Sequence, residues 1–105
     1  MRLQWSPRAL EQTETAFDYV AEDRPQAAQD WLLGLFLRVE LLLQFPEQGR
    51  VVPEANREDL REVIYEERHR TVYRLDPDFI HVLLVHPSPV PMSSEELDNL
   101  EPSNL

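Results

Sequence analysis

The sequence predicts an α+β domain in which a short N-terminal strand and an antiparallel helical hairpin precede a three-stranded antiparallel meander. Residues 7 to 45 hold two stretches in which apolar residues recur every three or four positions, and each stretch opens with a proline, a pattern typical of helices. Residues 60 to 86 hold three short runs rich in β-branched and aromatic residues, separated by charged turns, which is typical of strands. A chain of 105 residues builds one domain around a single core.

The first half of the chain is predicted to contain one strand and two helices. Arg2 to Ser6 is the strand, and Ser6-Pro7 indicates a helix start, because a hydroxyl caps the first turn and proline suits its first position. This helix extends to about Glu22. Its predicted inward stripe is Leu10, Thr13, Phe17 and Val20. The second helix runs from Pro25 to Phe45-Pro46. Its predicted inward stripe is Ala28, Trp31, Leu35, Val39 and Leu42.

The second helix carries more apolar residues than one buried stripe needs. The surplus residues are Leu32, Leu33, Phe36, Leu37, Leu41 and Leu43. Either the helix is buried on two sides, between the first helix and the sheet, or part of it forms a surface for a partner or a second copy of the chain. The sequence leaves both readings open.

The second half of the chain predicts the meander and an acidic tail. The strands are predicted at Leu60–Glu66, His69–Leu75 and Phe79–His86, after a polar loop with a brief extended piece at residues 50 to 52. Three alternating prolines, from Pro87 to Pro91, predict an extended segment outside the sheet. The pattern SSEEL from Ser93 predicts either a short capped helix to about residue 100 or a disordered tail.

The strand register decides which side chains share a face. If the first hairpin closes over the two residues Glu67 and Arg68, Arg61 lies opposite Arg74 and Tyr65 opposite Arg70. If the second hairpin pairs Asp76 with Phe79, Arg74 faces His81. Arg61, Arg70, Arg74 and His81 then share one face. That face either accepts an anionic partner or is an ordinary solvated surface neutralised by nearby glutamates.

Composition and charge limit the function. The chain has no cysteine and a formal net charge of -10, which disfavours disulfides and direct nucleic-acid binding and fits the cytoplasm. The tail from residue 93 carries four acids and no base, so residues 1 to 92 hold the other sixteen acids and all ten arginines, a net -6. The most apolar stretch, residues 31 to 45, is too short and too often interrupted by charges to span a membrane.

Few residues indicate catalysis. His81 and His86 have opposite parity on one predicted strand, so they point to opposite faces and do not share a metal. We expect no metal and no cofactor, because the sequence has no glycine-rich phosphate loop and no ligand cluster. Arg61, Arg70 and His81 are the candidate catalytic residues, His81 as an acid or base beside positive charge.

The order of these elements, together with the motifs WSPRA, FPEQGRVVPE, LREVIYE, HRTVYRL and IHVLLVHPS, resembles the RelE/ParE family of toxins of type II toxin-antitoxin (plasmid stabilisation) systems. The resemblance covers about residues 2 to 88. It implies that the two helices pack on one face of a small twisted sheet, while the other face accepts the antitoxin. The toxin domain is then residues 1 to 92, followed by an acidic tail at residues 93 to 105.

The two branches of the family imply different activities. RelE-like members cleave messenger RNA in the ribosome with basic residues of the sheet, and Arg61 and Arg70 match two of these by position. Val63 stands where that branch has a further basic residue, and residues 87 to 94 replace its terminal arginine and tyrosine. ParE-like members are described as poisons of DNA gyrase and need no nuclease residues. Their basic ending after the third strand is replaced here by HPSP.

The resemblance favours a ParE-like toxin that binds a protein target such as DNA gyrase and is neutralised by a ParD-like antitoxin. The expected contacts are Arg61, Arg70, Arg74, Tyr65, Val63, Val72 and His81. One alternative is a ribosome-dependent RNA endonuclease in which Arg61 and Arg70 stabilise the transition state and His81 is the acid or base. Another is a non-toxic relative that only binds antitoxin, or whose tail folds back over its own arginines.

Overall fold

The computed structural model describes residues 1–98 and residue 100. It confirms the predicted α+β class and the order of the elements. The strands are β1 Arg2–Trp5, β2 Arg50–Val51, β3 Leu60–Tyr65, β4 His69–Leu75 and β5 Phe79–Pro87. The helices are α1 Pro7–Ala21, α2 Pro25–Glu40 with a 3-10 turn at Leu41–Leu43, and α3 Ser94–Asp98. No helix within the described residues is long and apolar enough to cross a membrane.

The strands form one sheet in the order β1-β5-β4-β3-β2. The pairs among β2, β3, β4 and β5 are antiparallel, whereas β1 runs parallel to β5, with Leu3 opposite Ile80 and Trp5 opposite Val82. The helical hairpin is the crossover that connects these two parallel strands. The N-terminal strand β1 therefore forms one edge of the sheet, and β2 forms the other.

The start of α1 is capped as predicted and is also tied to the sheet. Ser6 Oγ accepts a hydrogen bond from Ala9 N at 3.0 Å and donates one to the Leu83 carbonyl oxygen at 2.9 Å. Ala9 and Thr13 are buried, whereas Leu10 is exposed, so the predicted inward stripe of α1 was wrong by one position at its start. The small Ala9 lies against the sheet because the Ser6 contact fixes the rotation of the helix.

Apolar side chains form one cluster on each face of the sheet. The first cluster lies between the helices and the sheet and includes Ala9, Leu35, Val39, Leu42, Val63, Tyr65, Tyr73, Ile80, Val82 and Val85. The second lies on the opposite face and consists of Val52, Leu60, Val72, Leu83, Leu84, Met92 and Leu100. The helices thus cover one face only, as the resemblance implied. The other face, called the second face below, is covered by residues 52–55 and by the C-terminal segment.

The register of the first hairpin differs from the predicted one. Its turn has three residues, with positive φ at Glu66 and Glu67, and Tyr65 pairs with His69. One extra residue in the turn moves every side chain of β3 to the opposite face relative to β4. Arg61 therefore pairs with Tyr73 on the helix side, and Ile64 pairs with Arg70 on the second face. The prediction that the four residues share one face is therefore wrong for Arg61, whereas Arg70, Arg74 and His81 do lie on one face.

The second hairpin has the predicted register at its turn. Arg74 lies opposite His81, and Asp76 N donates to the Phe79 carbonyl oxygen. A bulge between Val72 and Tyr73 then shifts the pairing of β4 with β5. Because of this irregularity, the neighbouring residues Leu83 and Leu84 both contribute to the second cluster.

The C-terminal residues form a turn and the short helix. Val90 N donates to the Pro87 carbonyl oxygen, so the predicted extended proline segment is interrupted by a turn. Ser93 Oγ then caps α3 by accepting from Glu96 N at 3.1 Å, which confirms the predicted cap. The predicted tail beyond residue 100 lies outside the described residues.

Candidate interaction surfaces

Arg61 holds a loop in place. Its Nε donates to the Glu58 carbonyl oxygen at 3.0 Å and its Nη1 to the Gly49 carbonyl oxygen at 3.0 Å. These bonds fasten both ends of the polar loop that precedes β3. Tyr73, opposite Arg61, holds the same loop: its hydroxyl donates to the Pro46 carbonyl oxygen and accepts from Gly49 N. Burial raises the pKa of the Tyr73 hydroxyl.

Arg70 belongs to a chain of four alternating charges on the second face. The Glu62 carboxylate is only 1% exposed, and it accepts hydrogen bonds from Arg70 Nε at 2.8 Å and from Arg50 Nε at 2.7 Å. The two terminal nitrogens of Arg70 donate to both oxygens of Glu54 at 2.7 and 2.8 Å. The hydrogen bonds from Arg70 lower the pKa of Glu54 to about 2. Both carboxylate partners raise the pKa of Arg70.

Arg74 and His81 lie side by side on the same face. His81 Nε2 is 2.6 Å from Asp76 Oδ2, and this hydrogen bond lowers the pKa of Asp76. Asp76 Oδ1 accepts from Phe79 N, which holds the turn, and the Phe79 ring lies 5.5 Å from the His81 ring. Arg74 forms no ion pair within the described residues, and its buried Nε has no hydrogen-bond partner there. Of the three candidate arginines, Arg74 thus has the most unused hydrogen-bond donors for binding an anion.

Three other predicted contact residues are buried inside the protein. Val63 and Tyr65 point toward the helices, where the Tyr65 hydroxyl donates to the Trp31 carbonyl oxygen at 2.9 Å. Burial raises the pKa of the Tyr65 hydroxyl. Val72 lies on the second face, fully covered. None of the three presents its side chain to solvent.

The candidate nuclease residues are not assembled at one site. Arg61 and Arg70 lie on opposite faces of the sheet, and their guanidinium groups bind carbonyl oxygens and carboxylates of the chain itself. His81 is on the second face, bound to Asp76. Within the described part of the chain, no group of three histidine or acidic side chains is arranged to hold a metal ion.

The outward surface of α2 is apolar and open. Leu33, Leu37 and Leu41, at helical spacing, are 60%, 54% and 44% exposed. Two-sided burial is therefore wrong for these three residues. Phe36 is partly covered by edge-on contact with Trp5. We call the exposed side chains Leu33, Leu37 and Leu41 the α2 surface.

A groove of about 690 Å³ adjoins the α2 surface. The groove lies between α2 and the end of β3. Its walls include Gly34, Leu37, Leu41, Leu43 and Tyr65. Gly34 permits the close approach, because a Cβ atom there would collide with the Tyr65 hydroxyl. Since β2 pairs only with Arg61 and Glu62, no described strand pairs with the outer edge of β3 from Val63 to Tyr65.

Comparison with known proteins assigns the family. The family model of the ParE toxin of the type II toxin-antitoxin system parDE matches residues 3–88. The chain belongs to the ParE toxin family. This confirms the resemblance found in the sequence and selects its ParE branch. No curated relative matches the sequence significantly.

A solved structure supports the same fold for this ParE-family chain. A chain of the chromosomal ParDE TA system from P. aeruginosa superposes with a TM-score of 0.70 at 20% sequence identity. The match covers 83% of this chain and 95% of the other. At this identity the likeness concerns the fold.

The match to the ParE family model ends at residue 88, and the C-terminal segment follows it. This segment, residues 89–98 and 100, lies on the second face through Met92, Leu97 and Leu100. His86 Nδ1 is 3.0 Å from a Glu96 carboxylate oxygen and His86 Nε2 is 2.6 Å from the Val90 carbonyl oxygen. The described part of the tail folds back onto the sheet. It covers apolar residues there, and its Glu96 pairs with a histidine.

Some of these residues had no clear signal in the sequence. The predicted register does not bring Glu62 to Arg70, and no local pattern connects His86 with Glu96. The α2 surface did have a signal, namely the surplus of leucines on the second helix. Gly34 could have been noticed as the single glycine inside that helix.

Proposed function

We propose that this ParE-family protein is a toxin that acts by binding a protein target, DNA gyrase being the target that the ParE branch implies, and that a cognate ParD-like antitoxin neutralises it. Its family membership and its likeness to a chain of a ParDE system support this proposal. Such a toxin would act in the cytoplasm, where gyrase is found.

The observation that carries the proposal is the apolar α2 surface with its adjoining groove. Three half-exposed leucines leave apolar surface in contact with water. A partner that buried this surface would gain a binding free energy of roughly 25 cal/mol for each Å². The groove is lined mainly by apolar atoms, and its lining also includes Arg38 and Glu40. An amphipathic helix with apolar residues at matching spacing fits this kind of surface.

The free edge of β3 adds a second element of recognition. On an antiparallel strand, alternate residues direct their backbone groups to each side. Val52 N donates to the Leu60 carbonyl oxygen on the β2 side, so Ile64, four residues further along, directs its backbone groups to that same side. Ile64 is 43% exposed. We expect an extended stretch of the antitoxin to bind here beside its helix.

The hydrogen bonds that Arg61 and Arg70 form within the chain favour a binding function over RNA cleavage. A nuclease that used Arg61 and Arg70 would need guanidinium groups free to stabilise a phosphate. Both groups are engaged by carbonyl oxygens or carboxylates of this chain. Arg74 and His81 remain candidate contacts for carboxylates of the antitoxin.

Growth of a bacterial host tests the proposal. We expect expression of the chain to arrest growth and co-expression of the product of the adjacent small open reading frame to relieve the arrest. Purified protein should inhibit supercoiling by purified gyrase. Normal growth with abundant, folded protein contradicts toxicity, whereas arrest with unaffected gyrase and cut transcripts identifies an RNA target.

A paired substitution tests the α2 surface. Leu37→Glu combined with Leu41→Glu should weaken antitoxin binding at least about tenfold, because it places two carboxylates on the contact surface. Tyr19→Glu is the matched control, since Tyr19 is 81% exposed and lies near the opposite end of the helical hairpin. Equal affinities of the two variants, measured by calorimetry, contradict this location.

A further inference from the structure

His86 is a buried titratable residue that the proposed function does not use. It lies on β5, is 3% exposed and pairs with Arg70 of β4. Each of its ring nitrogens faces an oxygen of the C-terminal segment. Nδ1 is 3.0 Å from a Glu96 carboxylate oxygen, and Nε2 is 2.6 Å from the Val90 carbonyl oxygen. One ring therefore joins the sheet to the start of the segment and to α3.

The two oxygens determine how many protons the His86 ring carries. A carbonyl oxygen and an ionised carboxylate only accept hydrogen bonds, and a neutral imidazole has one N–H whereas an imidazolium has two. Both contacts are therefore hydrogen bonds only when both ring nitrogens are protonated. After the loss of one proton, a lone pair faces an acceptor and one contact must open. The Val90 backbone is held by the turn to Pro87, so the contact with the Glu96 side chain is the one that opens.

The charges around His86 come from β4 and from α3. Arg70 carries a positive charge that opposes an imidazolium, but two carboxylates bond its guanidinium group, those of Glu54 and Glu62. Burial lowers the pKa of His69 on the same strand, which favours its neutral form. Among the described residues, Glu96 carries the carboxylate that bonds the His86 ring. The other acids of α3 are exposed, namely Glu95 and Asp98.

The remaining attachment of the segment is apolar. Met92 is 8% exposed, and Leu97 and Leu100 pack beside it on the second face. α3 has five residues, which is too short for a helix to persist alone in water. Its position therefore depends on contacts with the sheet. Loss of the Glu96 contact removes a polar attachment of α3 and shifts the segment toward release.

We propose that His86 is a proton-dependent latch, in which the imidazolium ring holds the C-terminal segment on the second face and loss of one proton releases α3. The closed segment surrounds the ring with two acceptors that the released segment lacks, so closing favours proton uptake and rising pH favours release. Imidazole is the side chain that ordinarily changes charge between about pH 5 and pH 8. Release uncovers the apolar centre of the second face. The latch is a property of the fold and does not depend on the proposed function.

Methyl NMR on the full-length chain, labelled with 13C at the methionine methyl groups, tests the latch. The chain has two methionines, and Met92 reports docking because it is buried beneath the segment. Met1 is 57% exposed and is the internal reference. The position of the Met92 signal, between its docked value and that of an unstructured peptide, gives the ratio of released to docked segment. Spectra are recorded from pH 6 to pH 8.5, where glutamate carboxylates remain ionised.

We expect the released-to-docked ratio of the wild type to rise at least about tenfold from pH 6 to pH 8.5. His86→Gln should abolish this rise, because glutamine does not titrate. His81→Gln is the matched control on the same strand. His81 contacts Asp76 and not the segment, so this variant should retain the rise. Glu96→Gln should also remove most of the rise, since an amide can either donate to the ring or accept from it.

A constant ratio in the wild type overturns the latch, because the proton would then not hold the segment. A rise that persists in folded His86→Gln, or that disappears in His81→Gln, also overturns it, since another group would be responsible. Circular dichroism establishes that each variant is folded. If His86→Gln is not folded, Glu96→Gln decides the matter, and a tenfold rise in that variant overturns the latch.

Discussion

At the scale of single residues, Glu62 organises the polar half of the second face. A carboxylate that is 1% exposed is stable as an anion only when other groups replace the hydrogen bonds of water. Arg50 and Arg70 provide these bonds, and Glu54 occupies the remaining donors of Arg70. The network joins β2, β3 and β4 and the loop after β2.

Arg70→Ala should reduce the free energy of unfolding by about 3 kcal/mol, because among the described residues it leaves the buried Glu62 with one guanidinium partner, Arg50. Urea denaturation measures the change. Arg68→Ala is the control, since Arg68 is exposed in the turn, and its effect should stay within about 0.5 kcal/mol.

The stability of Arg70→Ala also distinguishes a structural role of Arg70 from a catalytic one. Loss of toxicity in Arg70→Ala has a structural explanation if the protein is also destabilised. An Arg70→Ala variant that unfolds at the same urea concentration as the wild type contradicts the structural role and revives the nuclease reading.

Glu54 makes stability depend on acid pH. Its pKa is about 2 in the folded protein against an ordinary value of 4.5, owing mainly to the hydrogen bonds from Arg70. The unfolded chain therefore takes up the proton first, and the stabilisation from Glu54 is complete above about pH 4.5 and is lost as the pH falls toward 2. Glu54→Gln should lower stability at pH 7 by about 1 kcal/mol after solvent screening.

The measurement is the melting temperature of both proteins between pH 7 and pH 2.5. The wild type should lose more stability than Glu54→Gln over the acid part of this range. If the melting temperatures of the two proteins fall in parallel with pH, the hydrogen bonds from Arg70 do not stabilise the Glu54 carboxylate in the folded protein.

At the scale of elements, the contact of α2 with the end of β3 shapes the groove. Gly34 lies inside the helix, where alanine normally stabilises by about 1 kcal/mol relative to glycine. Here the added methyl group would collide with the Tyr65 hydroxyl, which donates to Trp31. Packing therefore requires glycine at a position where helix propensity alone disfavours it.

Gly34→Ala should destabilise the wild type by roughly 1 to 2 kcal/mol, because the Tyr65 hydroxyl must leave its acceptor. In the Tyr65→Phe background the same substitution should be nearly neutral. A double-mutant cycle by denaturant unfolding measures the coupling, which should reach about 1 kcal/mol. Additive effects would show that Gly34 and Tyr65 do not restrict each other.

At the scale of the whole molecule, the sheet is covered by different structures on its two faces. The helical hairpin is a continuous layer on one face, whereas residues 52–55 and the C-terminal segment cover the other. β4 is the central strand, bonded to β3 and β5 along its length. Stability should therefore be highest at β4 and lowest at α3.

Hydrogen exchange followed by mass spectrometry should show this gradient. Amides of β4 should exchange only through global unfolding, and amides of α3 should exchange at least about 100-fold faster through local opening. Glu96→Gln should accelerate exchange in α3 and leave β4 unchanged. Equal protection of α3 and β4 would contradict this gradient.

Local signals in the sequence were sufficient for the elements and the family. Ser6-Pro7 indicated the start of α1, helical periodicity indicated both helices, and Asp76-Pro77-Asp78 indicated the second hairpin, because each depends on residues close together in the chain. The surplus of leucines on α2 likewise indicated the α2 surface, although periodicity alone did not distinguish it from two-sided burial.

The sequence by itself therefore determined the α+β class, the order of helices and strands and the ParE toxin family, all of which follow from local pattern and motif order. The tertiary structure decided what depends on distant contacts. A single extra turn residue placed Arg61 and Arg70 on opposite faces, since side chains alternate along a strand. The parallel pairing of β1 with β5, the burial of Glu62 and the docking of the C-terminal segment join residues far apart in sequence, where no local propensity acts.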